Sequence, residues 1–276
     1  MYDTIMDFFS YSFIQNACLA ILLSSIAAGI VGSIIVSMRM VFLAGSIAHA
    51  AYGGVGIALS TGVSVLPTTL LFSMLFGSFM AEVSYRSIKH KEIIIAALWA
   101  FGMAFGIILM DITTPVTGDI LGFLFGSVLT VSSQTLLYMA LLNIVIVGTV
   151  WLFYPYILAV AFDISYSKTT TIPTRAIYYV IVLLTTSTVV SLLYTVGLII
   201  MLALITLPVG IALFYARSLA SLMLLSSFLC FIASIIGLML SWFFGFSSGA
   251  SIVLVLTLFY ACNYCIHLFS HKNSIA

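Results

Sequence analysis

The sequence predicts an all-α, polytopic membrane protein of about nine transmembrane helices, on three observations. Of its 276 residues, 64% are hydrophobic and only 5% charged, against roughly 25% charged in a soluble domain. The apolar runs are unbroken, as in Leu19 to Val36 and Ile177 to Val190. Barrel strands would instead alternate apolar and polar positions, so helices, which satisfy their own backbone in lipid, are the reading. Finally, the eight lysines and arginines all fall on one side of the membrane when nine spans are drawn.

A helix needs about 20 apolar residues to cross the hydrocarbon core. That length places spans at 13–36, 41–60, 66–84, 93–110, 133–153, 176–195, 198–215, 219–241 and 250–268. Short connections make neighbouring helices antiparallel. Arg39, Arg86, Lys89, Lys91, Lys168, Arg175, Arg217 and Lys272 then lie opposite the N-terminus. Positive loops stay in the cytoplasm, so the N-terminus is expected outside and the C-terminus inside. Asp3, Asp7, Asp111 and Asp119 fall outside in the same scheme. The two aspartates near the start, with no cation before the first apolar run, argue against a cleavable signal peptide.

Two stretches depart from plain spans. Asp111 to Val131 is apolar but broken by Pro115, Gly118, Gly122 and Gly126; its second half is expected as a short helix at the outer face. Phe162 to Arg175 (FDISYSKTTTIPTR) is the longest polar stretch and lies on the cytoplasmic side. No loop is long enough for a soluble domain, and no GxxxxGK[ST] phosphate loop is present. A net charge of +1 leaves no field to gather nucleic acid.

His49 is the one clearly intramembrane ionisable side chain. It lies ten residues beyond Arg39, about 15 Å of helix rise, near the midplane. An ionisable group at that depth is a functional candidate by default, and imidazole suits zinc, copper, iron or nickel. Gly45, His49 and Gly53 share one helix face, where small residues admit a neighbouring helix or leave a cavity. The plainer alternative is a hydrogen bond between helices. One histidine cannot complete a metal site, so other groups or water must contribute. Asp111 and Asp119 would sit at the outer mouth, where carboxylates attract cations; otherwise they are solvated loop acids, with Asp119 capping the short helix after it. His267 and His271 form an i, i+4 pair at the end of the last helix, better read as a solvated tail than as a metal site. His90 belongs to the basic loop Arg86 to Glu92, and Glu82 and Glu92 sit at helix ends within reach of water. Cys262 and Cys265 have CxxC spacing, but without a second pair they read, with Cys18 and Cys230, as small apolar residues.

The chain resembles the membrane subunits of zinc/manganese-type ABC importers. Arg39 to Gly56 (RMVFLAGSIAHAAYGGVG) looks like that family's second-helix motif: an Arg-Met start, a small-residue helix with a histidine, then a glycine pair. Asp119 to Val131 (DILGFLFGSVLTV) is similar to its short apolar helix around Leu-Phe-Gly. Val196 to Pro208 (VGLIIMLALITLP) resembles its Val-Gly with a proline beyond, and Ser247 to Leu254 (SSGASIVL) the turn opening its last helix. The four occur in order.

The resemblance implies that residues 1–276 form a single transmembrane permease domain, with a coupling loop at about 162–175 that docks on a separate ATPase. Phe162 and Asp163 match the Phe-Asp start of the coupling helix, and Asp163 is its expected cap. Ser167 and Thr171 stand where alanine and glycine are usual. The resemblance also implies a homodimer or a pairing with a similar permease, an extracytoplasmic metal-binding protein, ATP used by the partner subunit, and no permanently bound cofactor. The permease itself would do no covalent chemistry. Its cargo would be a divalent metal, zinc first, then manganese, then iron, passing His49, Asp119 and Asp111. The family's usual aspartate one turn before the histidine is Gly45 here, and its later acids are Ser127 and Gln134. A secondary metal transporter or channel without an ATPase is the alternative, but neither an internal repeat nor an intramembrane carboxylate supports it. A membrane-embedded hydrolase would need a catalytic constellation that one histidine without HExxH does not supply.

Overall fold

The structure is a computed structural model, which describes residues 11–86, 89–113, 126 and 128–273, with side chains as far as 268. The described residues form helices and no strands. They are α1 (Ser12–Ser37), α2 (Val41–Ala50), α3 (Tyr52–Thr61), α4 (Val65–Tyr85) and α5 (Lys91–Thr113). After a single 3-10 turn at Val128–Thr130 come α6 (Ser133–Phe162), α7 (Ile164–Thr169), α8 (Thr174–Val196), α9 (Leu198–Ala212), α10 (Leu219–Phe244) and α11 (Ser248–Asn273).

Eight helical segments of the described chain are long and apolar enough to cross a membrane, α2 and α3 together making one of them. The ninth expected span is α9, an apolar helix of only 15 residues. Its length has local causes. Gly197, at φ 84°, ends α8 and starts α9 in a conformation only glycine adopts freely. Pro208, inside α9, removes one ladder hydrogen bond. In the span built from α2 and α3, the hydrogen-bond pattern tightens at Ala51: Gly54 N–H donates to the Ala51 carbonyl at 2.9 Å, as in a 3-10 turn. That break falls two residues after His49.

Two compact units can be distinguished. One falls within Ile34–Leu124 and Ile144–Tyr194, the other within Met1–Ser33, Phe125–Asn143 and Thr195–Ala276. In the first, glycines bring helices to backbone contact. A Cβ on Gly56 would lie 2.5 Å from the Gly106 carbonyl oxygen, and one on Gly102 would lie 2.9 Å from Ala50 Cα. Gly102 and Gly106 are a GxxxG pair, the spacing that lets two membrane helices meet without side chains between them. Gly54 likewise seats α3 against Thr69 of α4, and Gly77 of α4 faces Thr186 of α8.

In the second unit, Gly29 of α1 meets Ser227 of α10, and Gly32 meets Ile205 of α9. Ser226 Oγ lies 3.0 Å from both Ser33 Oγ and the Gly29 carbonyl, a buried polar tie between α1 and α10. Helix α10 starts with a reciprocal Ser218–Ser221 capping box and ends at Gly245, φ 69°.

Candidate metal path and coupling element

His49 sits half-buried in the last turn of α2, with Gly45 half-buried one turn earlier. Its ring stacks on Trp99 of α5, centroids 4.8 Å apart and planes 28° from parallel. Trp99, Gly102 and Gly106 fall on one face of α5 at i, i+3 and i+7, and this is the face on which α2 and α3 lie. Gly53 is part of the same seam, since a Cβ there would meet Phe72 of α4 at 2.5 Å and the Gly102 carbonyl at 3.1 Å. Gly53 is thus a close-packing position. His49 makes a helix contact, but through its ring face and not through a hydrogen bond: Nδ1 is buried without a partner. The Tyr52 hydroxyl, one turn on, is buried and unpartnered as well. A buried polar atom without a partner costs free energy, and both groups keep unmet hydrogen-bonding capacity.

Asp111 is exposed in the last turn of α5. It is twelve residues past Trp99, about 18 Å along the helix, so within this unit the fold does not bring it to His49. Asp119 lies outside the described residues, as do the side chains of His271 and Lys272. Among the described residues no group of three or more His, Cys, Asp or Glu side chains is placed to hold a metal. Cys262 and Cys265 are exposed and free, and His267 stacks on Phe214 at 4.4 Å.

The polar stretch folds as its residues require. Asp163, extended at φ −151°, caps α7, its Oδ1 accepting from the Tyr166 N–H at 2.9 Å. Ser167 is buried and donates its hydroxyl to the Asp163 carbonyl at 2.8 Å. Phe162, the last residue of α6, and Tyr166 of α7 are 72% and 66% exposed, and Thr171 is exposed in the turn that follows. A six-residue helix that presents Tyr166 and buries Ser167 has an anchored side and an offered side.

The anchorage depends on residues whose role the sequence did not disclose. Glu82, near the end of α4, accepts from Arg175 Nη2 at 2.9 and 3.0 Å through its two oxygens. It also accepts from Arg86 Nε and the Tyr179 hydroxyl. Tyr178 donates to Ser84 Oγ at 2.9 Å, and Lys168 of α7 lies 4.5 Å above the Tyr85 ring. So the start of α8 and the body of α7 are tied to the last turns of α4. Glu82 read as a solvated helix end because two of its three partners, Arg175 and Tyr179, are more than 90 residues away. Only the Trp99–Gly102–Gly106 spacing could have marked the face that receives His49. In the second unit, Gly126 of the Leu-Phe-Gly stretch, at φ 55°, packs on the backbone of Val196 and Gly197. Two of the sequence motifs therefore meet in space.

These features define a multi-pass helical membrane protein with a small capped helix held at the basic end of its bundle. Residues 10–267 match the ABC 3 transport family, and the chain belongs to that family. It is a permease, a transport subunit of an ATP-binding-cassette importer, and ATP hydrolysis resides in a separate subunit. An uncharacterized membrane protein of Synechocystis sp. is 38% identical over 260 residues, covering 94% of this chain and 92% of its own. The manganese transport system membrane protein MntC of Listeria monocytogenes is 30% identical over 250 residues, covering 91% and 89%. The solved structure of PsaBC from Streptococcus pneumoniae in complex with Fab superposes with a TM-score of 0.85 at 27% identity, covering 96% of this chain and 95% of that one.

Proposed function

We propose that this permease takes a divalent transition metal into the cytoplasm, with His49 on the path and α7 as the element gripped by the ATPase. Family membership supports the importer reading. The single observation that carries the path is the buried, unpartnered Nδ1 of His49 beside a break in its helix. Manganese leads the candidate cargoes, because relatives named as manganese permeases span nearly the whole chain. Zinc, which an imidazole without carboxylates favours on softness, comes next, and iron third. A site with few protein ligands suits a conduit, which must release its ion. Asp119 and Asp111 would gather cations at the outer mouth.

The basic end faces the cytoplasm on this reading, where positive loops are retained. Two ATPase subunits would dock there on Phe162, Asp163 and Thr171 of paired permeases, while Ser167, buried, would anchor α7 from beneath. A metal-binding protein would dock on the opposite face, and the path would run at the interface of a homodimer. A stroke on α7 would pass through Lys168–Tyr85 and Arg175–Glu82 to α4. Helix α4 packs directly on the helix that follows His49. An ATPase-independent carrier has no comparable support. The test is metal competition for uptake by the reconstituted complex: manganese should be transported and zinc should compete, whereas uptake insensitive to ATP would reject the proposal.

A further inference from the structure

A cavity of about 330 Å³ opens at the basic end of the unit that carries His49. Arg39, from the turn between α1 and α2, Lys91, from the first turn of α5, and Lys168, on α7, converge on it; Glu92 is the one carboxylate in its lining. Among the described residues neither Arg39 nor Lys91 forms an ion pair. Three cations drawn from three separate elements repel one another unless an anion joins them.

The backbone at Arg39 sharpens the point. Arg39 has φ 56°, in the left-handed region, and Met40 N–H donates back to the Ile35 carbonyl at 2.8 Å. This is the helix-ending turn whose left-handed position glycine fills most easily. Arginine is strained there, and what it adds over glycine is a guanidinium at the cavity. His90, at φ 60°, is the other non-glycine residue with positive φ in the described chain, and it directly precedes Lys91.

The floor of the cavity is apolar. Ile95 is 3% exposed, while Phe42, 48% exposed, continues onto the outer surface of the helices. Phe42 lies three residues past Arg39 and Ile95 four past Lys91, so the lining changes from cationic to apolar over roughly 5 Å. A soluble phosphate would use only the cationic half. We propose that the cavity binds the phosphate of an anionic phospholipid, with the start of an acyl chain against Phe42 and Ile95. Because Lys168 belongs to α7, the bound headgroup braces the coupling element. This site is independent of which metal is carried.

The test uses the purified permease–ATPase complex in nanodiscs of phosphatidylcholine with or without phosphatidylglycerol, with bound lipid counted by native mass spectrometry. The wild type should retain phosphatidylglycerol over phosphatidylcholine. Arg39→Gly, which suits the left-handed backbone and keeps the fold, should lower that retention about fivefold, and Lys91→Gln should act in the same direction. Equal retention of both lipids, or Arg39→Gly retaining as much as wild type at unchanged thermal stability, would overturn the proposal. Inorganic phosphate binding in the absence of lipid retention would identify a free-anion site and also overturn it. So would Arg39→Gly releasing the ATPase with lipid retention intact, which would assign the cavity to the partner subunit.

Discussion

Replacing Asp163 with alanine isolates what α7 contributes. The substitution deletes one hydrogen bond, from the Tyr166 N–H to Oδ1 at 2.9 Å. It leaves the second support in place, because Ser167 donates both its N–H and its hydroxyl to the Asp163 backbone carbonyl. Loss of an N-cap costs about 1 kcal/mol. Helix α7 has six residues, and so short a helix has little stability of its own. The whole cost therefore falls on its ordered population, roughly a fivefold reduction at that energy. Asp163→Asn keeps an acceptor oxygen and should cost only a few tenths of a kcal/mol. ATPase affinity for the permease, measured in nanodiscs, should thus weaken about fivefold for Asp163→Ala and hardly change for Asp163→Asn. Equal damage from both variants would show that the charge matters and not the cap. Wild-type affinity and uptake in Asp163→Ala would remove α7 from the docking surface.

Other consequences of the packing can be checked separately. Gly106→Ala would drive a Cβ into the Tyr52 carbonyl and to 2.7 Å from the Gly53 nitrogen, so it should lower stability by about 1–3 kcal/mol in a thermal melt. Gly148→Ala, whose Cβ would meet nothing within 4 Å, serves as the control and should be neutral or gain up to about 1 kcal/mol. Glu82→Gln should leave the ATPase bound and hydrolysing while uptake per ATP falls severalfold, and exchanging charge with Glu82→Arg plus Arg175→Glu should restore part of it. Full coupling in Glu82→Gln would show that the ties to Arg175, Arg86 and Tyr179 are not part of the transmission.

Much of the fold was legible because hydropathy is a local signal. Spans set by apolar length lie on the helices, although α6 runs to Phe162, beyond its expected end at 153, and α9 is short where Gly197 and Pro208 interrupt the run. Asp163 was readable as a cap because capping depends on the next three residues. The surroundings of His49 were less legible. Its glycine face pointed to either a lumen or a helix contact, but stacking on Trp99 depends on how α5 is rotated, to which only the Trp99–Gly102–Gly106 spacing gave a clue. The Glu82 ties join residues separated by 93 and 97 positions, beyond any local pattern. Gly45, with no carboxylate to offer, still leaves His49 without a charged neighbour on its own helix face.

The most direct measurement of the central claim is metal uptake by proteoliposomes holding the permease, its ATPase and the external binding protein, with His49→Ala beside the wild type. The wild type should accumulate a divalent transition metal only when ATP is hydrolysed. His49→Ala should assemble normally and accumulate it at least about tenfold more slowly, the scale on which metal-site substitutions act. Uptake without ATP, or unimpaired uptake by His49→Ala, would contradict the account.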